Sequence, residues 1–198
     1  MCYNYHMHKI ELQEGERIDQ LFSTDVQIIQ NREVFSYSVD SVLLSRFPKM
    51  PAKKGLIVDL CSGNGAVGLF ASTRTKAQIV QVELQERLAD MNRRSIELNG
   101  LEEQLTVIND DLANLPHYDL RSKVDLMLCN PPYFKVDESS NLNESEHYLL
   151  ARHEIATNLD NICQVAQQVL KSNGRLAMVH RPDRFLDILD KLRIYKLA

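Results

Sequence analysis

The sequence predicts a doubly wound α/β domain, in which a mostly parallel sheet carries helices on both faces. Five short runs of apolar and β-branched residues alternate with segments that have a helical pattern. The runs are apolar at consecutive positions, as expected for central parallel strands that are covered on both faces. Strands that alternate with helices in this way indicate βαβ units. A chain of 198 residues is long enough for one domain with its own core.

The predicted elements follow one another from residue 55 onward. The strands are expected at 55–60, 77–84, 105–110, 124–130 and 174–180. The helices are expected directly after the first strand and at 85–100, 158–174 and 183–197. The helices at 85–100 and 158–174 have apolar sides formed by Leu88, Met91, Ile96 and Leu98, and by Ile162, Val165, Ala166 and Val169, respectively. Asn99-Gly100 and Asn173-Gly174 predict where these two helices end.

Composition and charge exclude several classes of protein. The net charge of −4 does not indicate a nucleic-acid-binding chain, so any basic surface is expected to be local. The apolar runs are far shorter than the roughly 20 residues that cross a bilayer, so no membrane partner is expected. The first ten residues do not resemble a secretory signal. Four cysteines without metal-ligand spacing fit a reducing cytoplasm, and we expect no metal site.

Polar or Gly-rich residues follow the first four predicted strands. The first strand runs into VDLCSGNGAVG, where Gly63 and Gly65 allow a sharp turn and close approach of a ligand. The second strand ends at Glu83, 24 residues beyond Asp59, where a carboxylate can accept both hydroxyls of a ribose. The third strand ends at an Asn-Asp-Asp run that includes Asp111. Because ligands bind beyond the carboxyl ends of such strands, these residues predict a cleft that fits an adenosine.

The fourth strand ends in a rigid aromatic corner, Asn130-Pro131-Pro132-Tyr133. An exocyclic amine on adenine is a poor nucleophile because its lone pair is delocalised into the ring. An Asn side-chain oxygen and a proline carbonyl can accept its two N–H bonds and so align the lone pair with an electrophile. Proline has a fixed φ and no N–H, and Tyr133 can stack on a planar base. The corner therefore predicts methyl transfer to such an amine.

Several of these residues also have simpler structural interpretations. The Gly-rich turn can be an ordinary tight connection between a strand and a helix. Glu83 can be a solvated acid at the start of a helix, where the macrodipole favours it. Asp110 or Asp111 can cap the turn that follows.

The combination of VDLCSGNG, Glu83, Asp111 and NPPY in this order resembles the class I S-adenosylmethionine-dependent methyltransferases of the amino-methylating branch. The upstream stretch at 17–47 resembles the N-terminal segment of YabB-type bacterial proteins, which are related to the tRNA(Val) adenine-N6 methyltransferases. The resemblance implies a Rossmann-like class I methyltransferase fold. It also implies S-adenosyl-L-methionine as cofactor, S-adenosyl-L-homocysteine as product, and tRNA as the partner.

The resemblance also assigns roles to individual residues. Cofactor binding is implied for Phe35, Ser38, Asp40, Asp59, Cys61, Gly63, Gly65, Glu83, Leu84, Asp111, Leu112 and Asn130. Binding of the target amine is implied for Asn130, Pro131, Pro132 and Tyr133. Ser38 or Asp40 can instead begin an ordinary capped helix. We interpret the chain as a single domain, with residues 1–54 on the cofactor and substrate side and 55–198 as the core.

The sequence departs from the family pattern in two places. Many members have Gly where Cys61 stands, so we expect altered packing there without loss of the cofactor. No strand is predicted after Tyr195, so strands six and seven of the class I fold are expected to be missing. The helix at 183–197 should then expose the apolar residues Phe185, Leu186, Ile188 and Leu189. The edge of the sheet could support a homo-oligomer.

The segment between the NPPY corner and the helix at 158 is polar and unusually long. Its Arg152 and His153 are candidates for contacts with phosphate or substrate, although a solvated loop with a short helix is an equal alternative.

The predicted function is methyl transfer to an exocyclic amine, with adenine N6 in tRNA favoured. A nicotinamide-dependent dehydrogenase is disfavoured because the first loop lacks GxGxxG spacing. Methylation of protein glutamine, rRNA or DNA remains an alternative. So does a non-catalytic module that binds the cofactor or RNA.

Overall fold

A computed structural model describes residues 10–32, 37–131 and 158–197. Seven strands lie within these residues, in two separate sheets. An antiparallel hairpin is formed by β1 (Glu16–Gln20) and β2 (Gln27–Asn31). The other five strands form the main sheet, and every pairing in it is parallel.

The main sheet has the order β5-β4-β3-β6-β7. Its strands are β3 (Leu56–Leu60), β4 (Gln78–Glu83), β5 (Leu105–Asn109), β6 (Val124–Cys129) and β7 (Leu170–Met178). The chain builds outward from β3 to β5 and then returns to the other side of β3. The strand order therefore reverses between β3 and β6, which is where such sheets bind their ligands.

Helices cover both faces of the sheet, as the sequence predicts. They are α1 (Val39–Arg46), α2 (Ala66–Ser72), α3 (Glu86–Leu98), α4 (Leu159–Val169) and α5 (Phe185–Ile194). Two short 3₁₀ helices lie at Leu112–His117 and Pro182–Arg184. Alternate strand residues enter two cores: Ile57 packs with residues of α1, α2 and α3, whereas Val58 packs with α4 and the first 3₁₀ helix. This two-sided burial explains the continuous apolar runs.

The N-terminal hairpin is attached to α3. Ile29 packs against Leu88 and Met91 of that helix. The Arg94 guanidinium donates to both carboxylate oxygens of Glu16, at 2.7 Å each, and also contacts Asp90 at 2.7 Å. This bidentate ion pair holds the pKa of the Glu16 carboxyl below its usual value. The hairpin thus packs along α3, the helix that follows β4.

The predicted fold class is confirmed, but the predicted junction between the helix at 158–174 and the strand at 174–180 is wrong. The helix that starts at Leu159 ends at Val169, four residues before the predicted Asn173-Gly174 stop. Leu170 already has extended backbone and pairs with Val124, which ends the helix. The Asn-Gly pair instead produces an irregularity in β7, since Asn173 has a left-handed φ of 67°.

The region after β7 contains no strand within residues 179–197. The sheet therefore has β5 and β7 as its two edges among the described residues. Of the apolar residues predicted to be exposed on α5, Phe185 and Leu186 are exposed, while Ile188 and Leu189 are half-buried. None of the described helices is both long and apolar enough to span a membrane.

Candidate active site

The candidate site lies at the edge of the sheet where the parallel strands end. The Gly-rich loop follows β3, Glu83 ends β4, and Asp110 follows β5. Asn130 and Pro131 follow β6, which is paired with β3 on the opposite side from β4. The four strand ends identified from the sequence are therefore adjacent in space.

The Gly-rich loop turns through three residues with left-handed backbone: Cys61 (φ 57°), Gly63 (φ 56°) and Gly65 (φ 91°). A Cβ on Gly65 would lie 2.2 Å from Oδ1 of Asn92, so only glycine fits there. Gly65 then caps the start of α2. Glycine at this position therefore allows the loop to turn tightly over the Asn92 side chain.

Cys61 occupies a conformation that glycine adopts more easily. A left-handed φ costs a non-glycine residue roughly 1–2 kcal/mol, which explains why glycine suits this position. The Cys61 side chain packs against the core cluster around α4. Its hydrogen bond with Cys129 and its burial raise the pKa of the thiol well above the usual value, so the thiol stays protonated. Cys61 is a packing residue in this loop.

Glu83 is buried and held by backbone amides. Gly63 N–H donates to Oε2 at 2.8 Å, and Gln85 N–H donates to Oε1 at 2.9 Å. Each carboxylate oxygen can accept a second hydrogen bond, so this orientation is compatible with bonds from two hydroxyls. The Asn109 side chain fixes the backbone at the end of β4 by donating to the carbonyl oxygens of Glu83 and Leu84, at 2.8 and 3.1 Å. Glu83 is therefore not the solvated surface acid of the simpler interpretation.

The acids after β5 have mainly local partners. Oδ1 of Asp111 accepts from Ala113 N–H at 2.9 Å and so caps the first 3₁₀ helix. Asp110 accepts from the Tyr118 hydroxyl at 2.7 Å and from the Asn114 amide at 2.9 Å, and these bonds lower the pKa of Asp110. Leu112 is buried in the core cluster around α4. The capping role considered for Asp111 is thus present in the structure.

Asp59 lies beneath the Gly-rich loop and is fully buried. Its Oδ2 accepts from Gly68 N–H at 3.1 Å, at the start of α2. Burial raises the pKa of Asp59 to about 7, and the Gly68 bond only partly offsets this. Gln81, its partner in β4, donates to Gly65 O at 3.2 Å. Asp59 and Gln81 therefore support the loop from below.

Four buried side chains beneath the loop form what we call the polar layer: Asp59, Asn64, Gln81 and Asn92. Each has one buried oxygen without a hydrogen-bond partner in the described structure. Asn64 donates to Ile29 O at 3.0 Å, and thereby ties the loop to the N-terminal hairpin. The sequence analysis identified Asp59 only. For two of the others, the available signal was a polar residue in an apolar setting. Gln81 lies within an apolar strand, and Asn92 lies near the apolar side of a helix.

The remaining predicted residues are placed only in part. Ser38 is exposed at the N-cap of α1 and makes no side-chain capping bond, and Asp40 lies in the first turn. Asn130 is half-buried and Pro131 is buried. Five predicted residues lie outside the described part of the chain: Phe35, Pro132, Tyr133, Arg152 and His153.

The residues at the strand ends fit an adenosine cofactor. The described residues contain no group of three or more His, Cys, Asp or Glu side chains that could hold a metal ion. The Gly-rich loop lies directly beside Glu83, whose carboxylate is oriented by the Gly63 amide. Glu83, Gly63 and Gly65 are the residues that would hold the ribose and the methionine part.

Comparison with known proteins identifies the family. A sequence model described as "Methyltransferase small domain" matches residues 25–193. The chain belongs to the methyltransferase small domain family. The match covers the hairpin strand β2, the whole main sheet and nearly all of α5. Together with the fold, it supports S-adenosyl-L-methionine as the cofactor of this methyltransferase domain.

Bacterial relatives are similar over most of the chain. A protein of Shewanella loihica named tRNA1(Val) (adenine(37)-N6)-methyltransferase is 27% identical over 164 residues, with 79% of this chain and 65% of that protein covered. A protein of the same name from Aliivibrio fischeri is 30% identical over 143 residues, with 72% and 58% covered. The methyltransferase domain thus spans about three fifths of the length of these curated relatives.

Solved structures share the fold at low sequence identity. TYW2 of P. horikoshii, in complex with MeSAdo, has a TM-score of 0.65 at 14% identity, with 93% of this chain and 61% of that chain covered. TrmN of Thermus thermophilus has a TM-score of 0.56 at 19% identity, with 76% and 40% covered. These similarities establish the methyltransferase fold for the described core.

Proposed function

We propose that this domain transfers the methyl group of S-adenosyl-L-methionine to the N6 amine of an adenine in tRNA. One observation carries the proposal: Asn130 and Pro131 follow β6, the strand next to β3, beside the loop that would hold the cofactor. The site for the acceptor amine then lies across the point where the strand order reverses. The names of the Shewanella and Aliivibrio relatives favour adenine N6 in tRNA over the other amines.

On the cofactor side, each residue has a role that follows from its position. Glu83 accepts the ribose hydroxyls, because its carboxylate is held in place by two backbone amides. We assign the loop around Gly63 and Gly65 to the methionine part, because it follows β3 and lies beside Glu83. We assign Asp111 to the adenine amine of the cofactor and Leu112 to the ring. Asp111 has further acceptor capacity beside the capping bond that it makes.

The N-terminal residues Phe35, Ser38 and Asp40 are proposed to close over the methionine end. The start of α1 is consistent with this role, since Ser38 is exposed and makes no side-chain capping bond. The hairpin that precedes this segment is tied to the Gly-rich loop by the bond from Asn64 to Ile29 O. The residues that precede this segment are thus attached to the cofactor loop.

On the substrate side, the protein aligns a weak nucleophile. The bound cofactor supplies an electrophilic methyl group on a sulfonium. Asn130 Oδ1 and the Pro131 carbonyl accept the two N–H bonds of the target amine and direct its lone pair toward that methyl. Tyr133 stacks on the base, with Pro132 stiffening the corner. No strong general base is needed, because alignment and local dipoles lower the barrier.

The direct test is methyl transfer to RNA. The purified chain is incubated with tritiated S-adenosyl-L-methionine and tRNA from a strain that lacks the gene. We expect label in tRNA and N6-methyladenosine after digestion to nucleosides. Label in a protein fraction, in rRNA or in DNA but not in tRNA would contradict the proposal. A tRNA substrate also places the reaction in the cytoplasm.

A further inference from the structure

Basic residues are concentrated in one stretch of an otherwise acidic chain. Residues 41–82 contain six Lys and Arg side chains and a single acid, the buried Asp59. The whole chain, by contrast, has 23 basic and 27 acidic residues. Along the sequence the six basic residues are spread over a helix end and two loops, so only the fold decides whether they share a surface.

The fold brings these segments together at the edge of the main sheet where the strands begin, opposite the candidate site. Lys76 N–H donates to Ala52 O at 3.0 Å, so the turn before β4 contacts the loop before β3. The Arg74 side chain donates to Ser45 O, which joins the same turn to the end of α1. We call the resulting surface the basic edge, and its members are Arg46, Lys49, Lys53, Lys54, Arg74 and Lys76.

The positive charge of the basic edge is not neutralised by acids. All six residues are exposed, and within the described ranges none of them makes an ion pair. Arg93 and Arg94, in contrast, pair with acids of α3 and of the hairpin. Asp125 lies at the border of the basic edge, where it accepts from the backbone at the start of β3, and it is paired with Lys171 at 2.9 Å. The charges of the basic edge are therefore available to a partner.

An exposed aromatic ring accompanies these charges. Phe47 is 82% exposed and lies between Arg46 and Lys49 in the chain. Proteins bind RNA with this combination, because basic side chains contact phosphates while aromatic rings stack on bases.

The candidate site itself offers little attraction for a polyanion. The described strand ends that form it carry the acids Glu83, Asp110 and Asp111. Beyond β7, Arg181 and Arg184 are paired with neighbouring acids, at 3.1 and 2.7 Å. A chain with a net charge of −4 that binds RNA therefore needs a separate cationic surface.

We propose that the basic edge binds the phosphate backbone of the RNA substrate at a distance from the methylated adenine, and that Phe47 stacks on an unpaired base there. This inference rests on the proposed function for the identity of the RNA. The five residues of β3 span ~17 Å between the two edges of the sheet. Because one strand of a nucleic-acid helix advances about 3.4 Å per nucleotide, the contacted phosphates lie roughly five nucleotides from the target.

The salt dependence of tRNA binding tests the charges. Filter binding of tRNA from a strain that lacks the gene gives the dissociation constant between about 50 and 200 mM KCl. The double variant Lys53→Gln with Lys54→Gln should raise this constant about fivefold or more. The slope of log affinity against log salt should become shallower by about 1.4–1.8, because two phosphate contacts are lost.

The matched control is Arg193→Gln with Lys196→Gln. It removes the same charge from exposed positions at the end of α5, which packs on α4 and so lies on the other face of the sheet. The dissociation constant and the slope should stay those of the wild-type chain. Equal melting temperatures of the two double variants show that the fold is intact.

Phe47→Ala tests the stacking contact. It should weaken tRNA binding about fivefold or more while leaving the slope against salt unchanged, because no phosphate contact is removed. Phe22→Ala is its control, since Phe22 is 68% exposed on the hairpin and should leave binding unchanged.

The inference is overturned by equal dissociation constants and slopes for the two double variants. A wild-type chain that binds no RNA also overturns it. Failure of the proposed function gives a different result: the chain binds tRNA through Lys53 and Lys54 but does not methylate it, and the RNA-binding surface stands. Methylation of tRNA together with unchanged binding in the Lys53 and Lys54 variant supports the proposed function and overturns this inference.

Discussion

The backbone N–H of Gly63 lies 2.8 Å from Oε2 of Glu83 and donates to it. This bond joins the Gly-rich loop after β3 to the end of β4. It orients the carboxylate and at the same time fixes the loop, so two parts of the candidate cofactor site depend on each other. The site is therefore organised before any ligand binds.

Replacement of Glu83 by Gln should weaken cofactor binding strongly. The Gln amide nitrogen would face one of the two backbone N–H donors and lose that bond, as well as the charge. A hydrogen bond to a charged group contributes about 1.5–3 kcal/mol, which corresponds to a ten- to hundredfold loss of affinity. Calorimetry with S-adenosyl-L-homocysteine measures this loss.

The matched control for Glu83→Gln is Glu86→Gln. The Glu86 carboxylate is 70% exposed and pairs with Arg93 on the surface of α3. Affinity should be unchanged in this variant. Equal affinities for both variants would mean that Glu83 only braces the loop.

Two glycines with left-handed backbone allow steric exclusion to be separated from backbone strain. Gly65 has φ 91° and would place a Cβ 2.2 Å from Asn92, whereas Gly100 has φ 62° and open space around it. Gly100→Ala should cost about 1 kcal/mol from strain alone. Gly65→Ala should destabilise the fold by clearly more and reduce cofactor affinity, because the loop must move. Urea denaturation and calorimetry check both effects, and equal costs would contradict the steric argument.

The alternation of apolar runs and helical segments was enough to predict the main sheet. Parallel strands buried on both faces leave a strong signal, as Val58 and Met127 illustrate with zero exposure. The end of α4 was not predictable from turn residues. Leu170 leaves the helix because it pairs with Val124 of β6, and such tertiary pairing is not encoded in the local pattern.

The strand-end residues of the candidate site could be predicted, but the hydrogen bonds and buried side chains that hold them in place could not. Glu83 and Gly63 were expected near the same ligand, yet the bond between them was not anticipated. The polar layer was missed except for Asp59, because Gln81 and Asn92 look like isolated polar residues in sequence. Their role depends on the packing of α2 and α3 around the loop, which only the three-dimensional fold specifies.

Replacement of Asn130 by Ala should separate chemistry from cofactor binding. The Asn130 side chain is proposed to accept a hydrogen bond from the target amine, so methyl transfer should fall by at least a hundredfold. The affinity for S-adenosyl-L-homocysteine should change less than threefold. Asn114→Ala, at an exposed position beyond β5, is a control for amide removal and should keep full activity. Loss of cofactor binding together with activity in Asn130→Ala would indicate a structural role instead.

The polar layer also predicts how stability depends on pH. Burial raises the pKa of Asp59 from 3.8 to about 7 in the folded chain. The folded state therefore holds this proton more tightly than the unfolded state. The resulting stabilisation is fully present below pH 3.8 and is lost as the pH rises to about 7. The difference corresponds to roughly 4 kcal/mol, as an upper bound.

Replacement of Asp59 by Asn should remove this loss of stability at rising pH. The Asn oxygen can still accept from Gly68, and its NH₂ group can donate toward Gln81, whose Oε1 has no donor among the described residues. The free energy of unfolding of the variant, relative to wild type, should increase from pH 4 to pH 7 and then level off. Asp119→Asn is the control, because the Asp119 carboxylate is 91% exposed. The difference in free energy of unfolding between this variant and wild type should not follow the same dependence on pH. Urea denaturation at a series of pH values measures both. A constant difference between Asp59→Asn and wild type across this range would show that Asp59 is ionised in the folded chain.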